Sequence, residues 1–194
     1  MRNEAVAWRG CARQMWSLLE QGNRRWAAGK SAHPHQDPRR RRQVASGQEP
    51  RAVVLSCIDS RVPPEVIFDV GLGDLLVVRT AAHTLDSLVT AAVQYGPQDL
   101  RASLVVVLGH QRCGAVTAAA RALRRRVVLP GELPAIVAAL EPAYATSNGR
   151  VEPMVHAHIR RTVSRLRADP LLHGSATVIG AYYSLDTGLV SRVS

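Results

Sequence analysis

Two short stretches of the chain carry side chains whose types and spacing suit joint chemistry. Cys57-Ile58-Asp59-Ser60-Arg61 follows one apolar run, and His110-Gln111-Arg112-Cys113 follows another. Two thiolates and one imidazole make a donor set that zinc (Zn2+) accepts, since the ion takes sulfur and nitrogen ligands tetrahedrally and has no redox chemistry of its own. His110 and Cys113 stand three residues apart, where the chain turns into a helix, so both can face one point. A structural zinc needs a fourth strong ligand. Cys11 lies in the N-terminal region, and His33, His35, His83, His156, His158 and His173 show no ligand spacing with either stretch. Three protein ligands and a fourth position left to water form the pattern of a catalytic zinc, which lowers the pKa of that water from about 15.7 to near 7.

Asp59 and Arg61 stand two and four residues past Cys57 and in an extended turn point the same way. A carboxylate beside Arg stays ionised, and a bidentate guanidinium fixes its orientation. Asp59 is thereby suited to accept a hydrogen bond from zinc-bound hydroxide. Alone, Asp59-x-Arg61 reads as a loop ion pair; the neighbouring Cys57 gives it the functional reading. A cysteine nucleophile above a phosphate cradle is another reading of Cys57 and Arg61, but such a loop is longer and glycine-rich. Here three residues intervene and none is glycine.

The elements that must position these groups are legible as hydrophobic patterns. Ala52–Ser56, Leu75–Val78 and Leu104–Leu108 are short continuous apolar runs of the kind that strands buried on both faces show. Leu85, Leu88, Val89, Ala92 and Val93 form a helical stripe between the second and third runs; Ala115–Leu123 reads as a helix after the third. Val155, Ile159, Val163 and Leu166 form another helical stripe, and Ala176–Tyr182 and Leu189–Val193 read as two closing strands joined by a turn that ends in Asp186-Thr187-Gly188. Alternating strands and helices predict an α/β fold with a mostly parallel sheet covered on both sides. In such sheets functional groups gather at the carboxyl ends of the strands, where Cys57 and His110 both fall. Met15, Leu18, Leu19, Gly22 and Trp26 predict an amphipathic N-terminal helix in need of a surface, and residues 31–48, rich in Pro, Arg and Gln, predict an exposed connection. Residues 124–149 show no clear period.

The 194 residues, 46% hydrophobic, suffice for one compact domain with appendages. The expected division is an N-terminal helical arm and linker over residues 1–47 and one zinc-binding catalytic domain over 48–194. No apolar run is long enough for a membrane span and no export signal is visible, so no membrane partner and a cytoplasmic location are expected. An odd count of three cysteines then argues for thiols or metal ligands rather than disulfides. The net charge of +10 carries a second reading, a basic nucleic-acid-binding protein in which zinc only holds the fold. Against it, aromatic residues are 4% of the chain and the arginines are dispersed, a solvated basic surface rather than a specific nucleic-acid site.

Cys57-x-Asp59-Ser60-Arg61 together with His110-x-x-Cys113-Gly114 resembles the β-class carbonic anhydrases. Leu19–Gly29 is similar to that family's N-terminal helix, Gly73–Arg79 to its second strand, and Val178–Tyr183 with Thr187-Gly188 to its last hairpin. The resemblance implies a sheet of four parallel strands plus one antiparallel edge strand, zinc on Cys57, His110 and Cys113, and reversible hydration of carbon dioxide to bicarbonate and a proton. It also implies substrate contacts at Gln48, Tyr95, Leu76, Ala81 and the Gly114 N–H. A homodimer or higher even oligomer follows, with the site at the subunit interface, the N-terminal helix clasping the partner, and Gln48 and Tyr95 reaching the neighbouring zinc. The chain departs from the family pattern at Arg79-Thr80-Ala81-Ala82-His83 and at Leu76, where phenylalanine is common. Those departures leave open action on a related heterocumulene, carbonyl sulfide or carbon disulfide.

Overall fold

The computed structural model describes residues 12–194. Cys11 and the first ten residues lie outside the described residues. The five strands are β1 (Ala52–Cys57), β2 (Leu75–Thr80), β3 (Leu104–His110), β4 (Thr177–Tyr183) and β5 (Val190–Arg192). They form one sheet in the order β2-β1-β3-β4-β5, with β5 antiparallel to β4 and every other pairing parallel. This is the expected mostly parallel sheet with one antiparallel edge strand. β1 and β3 are buried along their whole lengths, as their unbroken apolar runs require, whereas every residue of the edge strand β2 is partly exposed.

The helices are α1 (Ala12–Ala27), α2 (Pro38–Gln43), α3 (Pro64–Ile67), α4 (Ser87–Asp99), α5 (Gly114–Arg125), α6 (Leu133–Thr146) and α7 (Val151–Arg167). On one face of the sheet, α4 rests on β1 and β2 and α7 on β3 and β4. Close approach is possible because glycine stands at the contacts. A Cβ on Gly109 of β3 would come within 2.6 Å of Ile159 Cδ1 on α7, and one on Gly180 of β4 would meet the same residue at 2.6 Å. The stripe Val155, Ile159, Val163 and Leu166 is fully buried there.

On the other face lies α1, whose Met15, Trp16, Leu19, Gly22 and Asn23 are buried. Asn23 donates to the carbonyls of Ile67 and Gly188 and accepts from Val190 N–H, and Trp26 Nε1 donates to Tyr183 Oη. The apolar face of this helix is thus covered within its own chain. Ile67 at the end of the short α3 and the Phe68 that follows lie under it, a surface within the chain that the sequence pattern did not reveal.

Three elements differ from their sequence patterns. The 31–48 connection contains α2, capped by Asp37, whose side chain accepts from Arg40 N–H. Residues 133–146 are helical although Pro142 lies inside, which hid the period. In α4 the buried residues are Val93, Gly96 and Pro97, and Val89 and the preceding Leu85 pack against the core, but Leu88 is 80% exposed and Ala92 is exposed, so the apolar stripe is divided between the core and the surface. Among the described residues no helix is long and apolar enough to cross a membrane.

Candidate metal centre

β1 delivers Cys57 and β3 delivers His110 at adjacent carboxyl ends, with Cys57 opposite Thr80 of β2 and His110 opposite Tyr183 of β4. From β1 the chain goes outward to β2 and then crosses back to β3 on β1's other side, so this is the sheet's topological switch point, where a crevice opens. After His110, Arg112 adopts a left-handed conformation (φ 51°), and the reversal sets Cys113 as the N-cap of α5. The N–H groups of Ala115 and Val116 then face the Cys113 sulfur, where a helix N-terminus favours negative charge.

Cys57, His110 and Cys113 are all buried, and their ligand atoms lie within 4.8 Å of one another. The two Sγ atoms are 3.9 Å apart. Tetrahedral bonds of about 2.3 Å to one zinc would set two sulfurs about 3.8 Å apart, so the two sulfurs are already spaced for one ion. His110 Nδ1 lies 2.9 Å from the Gln111 carbonyl, which fixes the proton on Nδ1, while Nε2 is buried without a hydrogen-bond partner. A buried lone pair with no donor facing it is what a metal would satisfy.

The sulfurs share the logic of one proton between them. The hydrogen bond from Cys113 pulls the Cys57 thiol down against burial, helped by the His110 side chain and by the backbone N–H groups of Asp59 and Ala82. Cys113 is pushed up, first by that same bond to Cys57 and then by burial. A cation would replace the shared proton and stabilise both thiolates.

Asp59 stands at the cluster's edge, its Oδ2 4.0 Å from His110 Nε2. Arg61 grips it in bidentate fashion, Nε to Oδ1 at 2.9 Å and Nη2 to Oδ2 at 2.7 Å, and the Arg61 N–H adds a third bond at 3.0 Å. The Arg61 side chain holds the Asp59 carboxyl down at about 2, against partial burial. Arg61 Nη2 also donates to the Arg112 carbonyl at 3.3 Å, which ties the Asp59 loop to the His110–Cys113 loop.

Several supporting residues were given no role at the site by the motif reading. Arg79, near the end of β2, donates from Nε to the Cys57 carbonyl (2.8 Å) and from Nη2 to the Asp59 carbonyl (2.6 Å), clamping the loop that carries both. A cation near the end of an otherwise apolar strand is the one available signal. Glu152 accepts from Arg112 N–H and from Tyr182 Oη, and Asp186 accepts from Gln111 and Arg112, which together hold the second loop.

The other expected site residues divide into two groups. Ala81, at the end of β2, and Gly114, at the first turn of α5, lie on the same rim as the cluster. Gln48, Tyr95 and Leu76 do not. Gln48 lines a cleft of about 1300 Å³ at the amino ends of the strands, beside Arg51, Asp74 and Ser103. A six-residue β1 separates that end from Cys57, roughly 20 Å at about 3.3 Å per residue. Tyr95 is half exposed on the far part of α4, and Leu76 packs under α4, where a Cβ on Gly96 would meet its Cδ1 at 3.0 Å.

The sequence profile of the family described as "Carbonic anhydrase" matches residues 52–190. The chain is 39% identical over 183 residues to carbonic anhydrase 2 of Mycobacterium tuberculosis, covering 89% of this chain and 88% of the relative. It is 38% identical over 185 residues to the carbonic anhydrase of Mycolicibacterium smegmatis, covering 90% of each. Among solved structures, a tetrameric β-carbonic anhydrase of Sordaria macrospora shares the fold with a TM-score of 0.72 at 21% identity, over 92% of this chain and 96% of that one. With fold, cluster and sequence in agreement, the chain belongs to the β-class carbonic anhydrases, an enzyme family of carbonate dehydratases.

Proposed function

We propose that the protein hydrates carbon dioxide reversibly to bicarbonate and a proton, with zinc held by Cys57, His110 and Cys113. When bound there, zinc makes hydroxide available near neutral pH by lowering the pKa of a coordinated water. Asp59 does the orienting. Ionised and pinned by Arg61, it accepts a hydrogen bond from the attacking oxygen and so turns a lone pair toward the carbon. Arg79 keeps the loop fixed while this happens, a preorganisation that avoids rearrangement during reaction. The Gly114 N–H, at the positive end of α5, and the backbone at Ala81 lie where product oxygens would need donors and a wall.

The observation that carries this reading is the bidentate Asp59–Arg61 pair beside a partnerless His110 Nε2. A purely structural zinc has no use for a clamped carboxylate that does not ligate it. Stopped-flow hydration by the zinc-loaded protein is the test. Wild type is expected to outpace buffer clearly, and Asp59→Ala to lose on the order of 10²-fold in kcat/KM while retaining zinc. A zinc-loaded wild type no faster than buffer would sink the proposal, and turnover of carbon disulfide in the same assay would redirect it to that substrate.

Gln48 and Tyr95 enter the site from a second copy of the chain in this reading. The exposed apolar face of α4 supports it: Leu88, Ala91, Ala92 and Tyr95 share one side of the helix and all are exposed. Next to that face, β2 offers an apolar edge that no strand among the described residues pairs, of the kind that proteins ordinarily cover.

A further inference from the structure

Beside the Cys57 sulfur lies a pair of imidazoles that the proposed reaction does not use. His83 and His158 are 2% and 5% exposed, and their rings lie tilted against each other with centroids 4.7 Å apart and planes at 34°. None of the four ring nitrogens makes a well-formed hydrogen bond among the described residues, and the one backbone group that lies against them is that of Ala82, beside the His158 ring, where it favours the protonated form. Burial lowers the basicity of both, so the rings stand neutral at physiological pH. Two polar rings buried without partners call for a reason.

The reason is found in the backbone they touch. After β2 the chain makes a single 3-10 turn, Ala81–His83, in which Ala82 (φ 53°, ψ 33°) and His83 (φ 48°) are both left-handed although both carry a Cβ. Such conformations persist only where the surroundings over-determine them. Here Thr80 Oγ1 donates to the Thr84 carbonyl and closes the turn from outside, while the His158 ring on α7 covers the Ala82 backbone and the His83 ring from inside. The strained turn has one polar output. The Ala82 N–H points at Cys57 Sγ from 3.3 Å.

We propose that His83 and His158 are a positioning pair of the metal centre, their ring-to-ring contact holding the left-handed turn so that the Ala82 N–H stays on the metal-binding sulfur of Cys57. Outer partners of this kind set ligand orientation and electron density, and their loss typically costs about 10- to 100-fold in metal affinity. The inference rests on the reading of Cys57, His110 and Cys113 as metal ligands.

The test uses the cobalt-substituted protein, in which the thiolate-to-cobalt charge-transfer band reports the sulfur's electron density, together with the rate at which a chelator removes zinc. Removing the N–H contact makes the sulfur a stronger donor, so His158→Ala is expected to move the band to lower energy; the same truncation frees the turn that holds Cys57 in place, so the ligand is less well oriented and zinc is expected to leave about 10-fold faster. His158→Phe restores a ring against His83 and is expected to return both readouts toward wild type. Should His158→Ala fail to fold, His158→Leu, which fills the site without a flat ring, takes its place with the same expectation. A truncation variant with wild-type band and release rate overturns the proposal, as does a phenylalanine variant as altered as the truncation. A wild type that takes up neither cobalt nor zinc fails the metal reading itself, a separate outcome.

Discussion

Asp69 shows how a single residue, silent in sequence, can anchor an entire connection. It is 3% exposed and left-handed (φ 47°), and its carboxylate accepts from the N–H groups of Ala32 and His33 and from Arg25 Nε at 2.6 Å. Burial pushes the carboxyl up, but those donors, the Ala32 N–H first among them, outweigh it and hold it below 3.8. The folded state therefore binds this proton less readily than the unfolded chain. Its contribution is complete above about pH 4 and fades as pH falls through the lower, folded value. Asp69→Asn is expected to cost about 1–3 kcal/mol at pH 7, and the gap in Tm from wild type to narrow below pH 4. Melting curves from pH 7 to 3 check this; a gap that stays constant with pH refutes it. The Cys57–His110–Cys113 cluster and the Asp59–Arg61 pair were legible in the sequence because such chemistry demands particular residue types at short spacing. Asp69 and Arg79 were not, because they bind backbone groups brought near only by the fold, and any residue supplies an N–H or a carbonyl.

Elements were legible where one face of the pattern meets the core and obscure where it meets something else. The α7 stripe was read correctly since Val155, Ile159, Val163 and Leu166 all rest on the sheet. The α4 stripe was misread because its apolar residues are divided between core and exposed surface, and hydrophobicity alone does not say which partner a face has. α6 was missed because two prolines interrupt it, Pro134 in its first turn and Pro142 inside. Strand β3 was read two residues short, at Leu108. Gly109 looked like an end but continues the ladder opposite Tyr182, and its missing side chain makes room for Ile159. Gly109→Ala is expected to destabilise the protein by about 1–3 kcal/mol through overpacking. Because His110 follows directly, it should also weaken zinc binding. Thermal unfolding of the metal-free protein and a zinc titration read the two effects separately; wild-type values in both would show that α7 can simply move aside.

At the scale of the whole molecule, the distance between Gln48 and the Cys57–His110–Cys113 cluster decides how Gln48 could act. They sit at opposite ends of β1, so Gln48 serves the reaction only if a second copy is arranged with its strand ends reversed. A two-fold axis does this, and it places each chain's Gln48 at the other's cluster. The exposed face of α4 and the β2 edge are where such an axis would pass, so Leu88→Arg is expected to give a monomer by sedimentation, folded and zinc-binding but without hydration activity. Complementation between two inactive chains is more decisive. Gln48→Ala retains Asp59 but lacks the glutamine; Asp59→Ala has the reverse defect. In a mixed dimer one site combines the intact Asp59 of the first chain with the intact Gln48 of the second, and the other site has neither. Random reassociation of equal amounts makes half the dimers mixed, so activity is expected to recover to about one quarter of wild type. If Gln48 acted within its own chain, every site in the mixture would lack one of the two groups, and no recovery would occur.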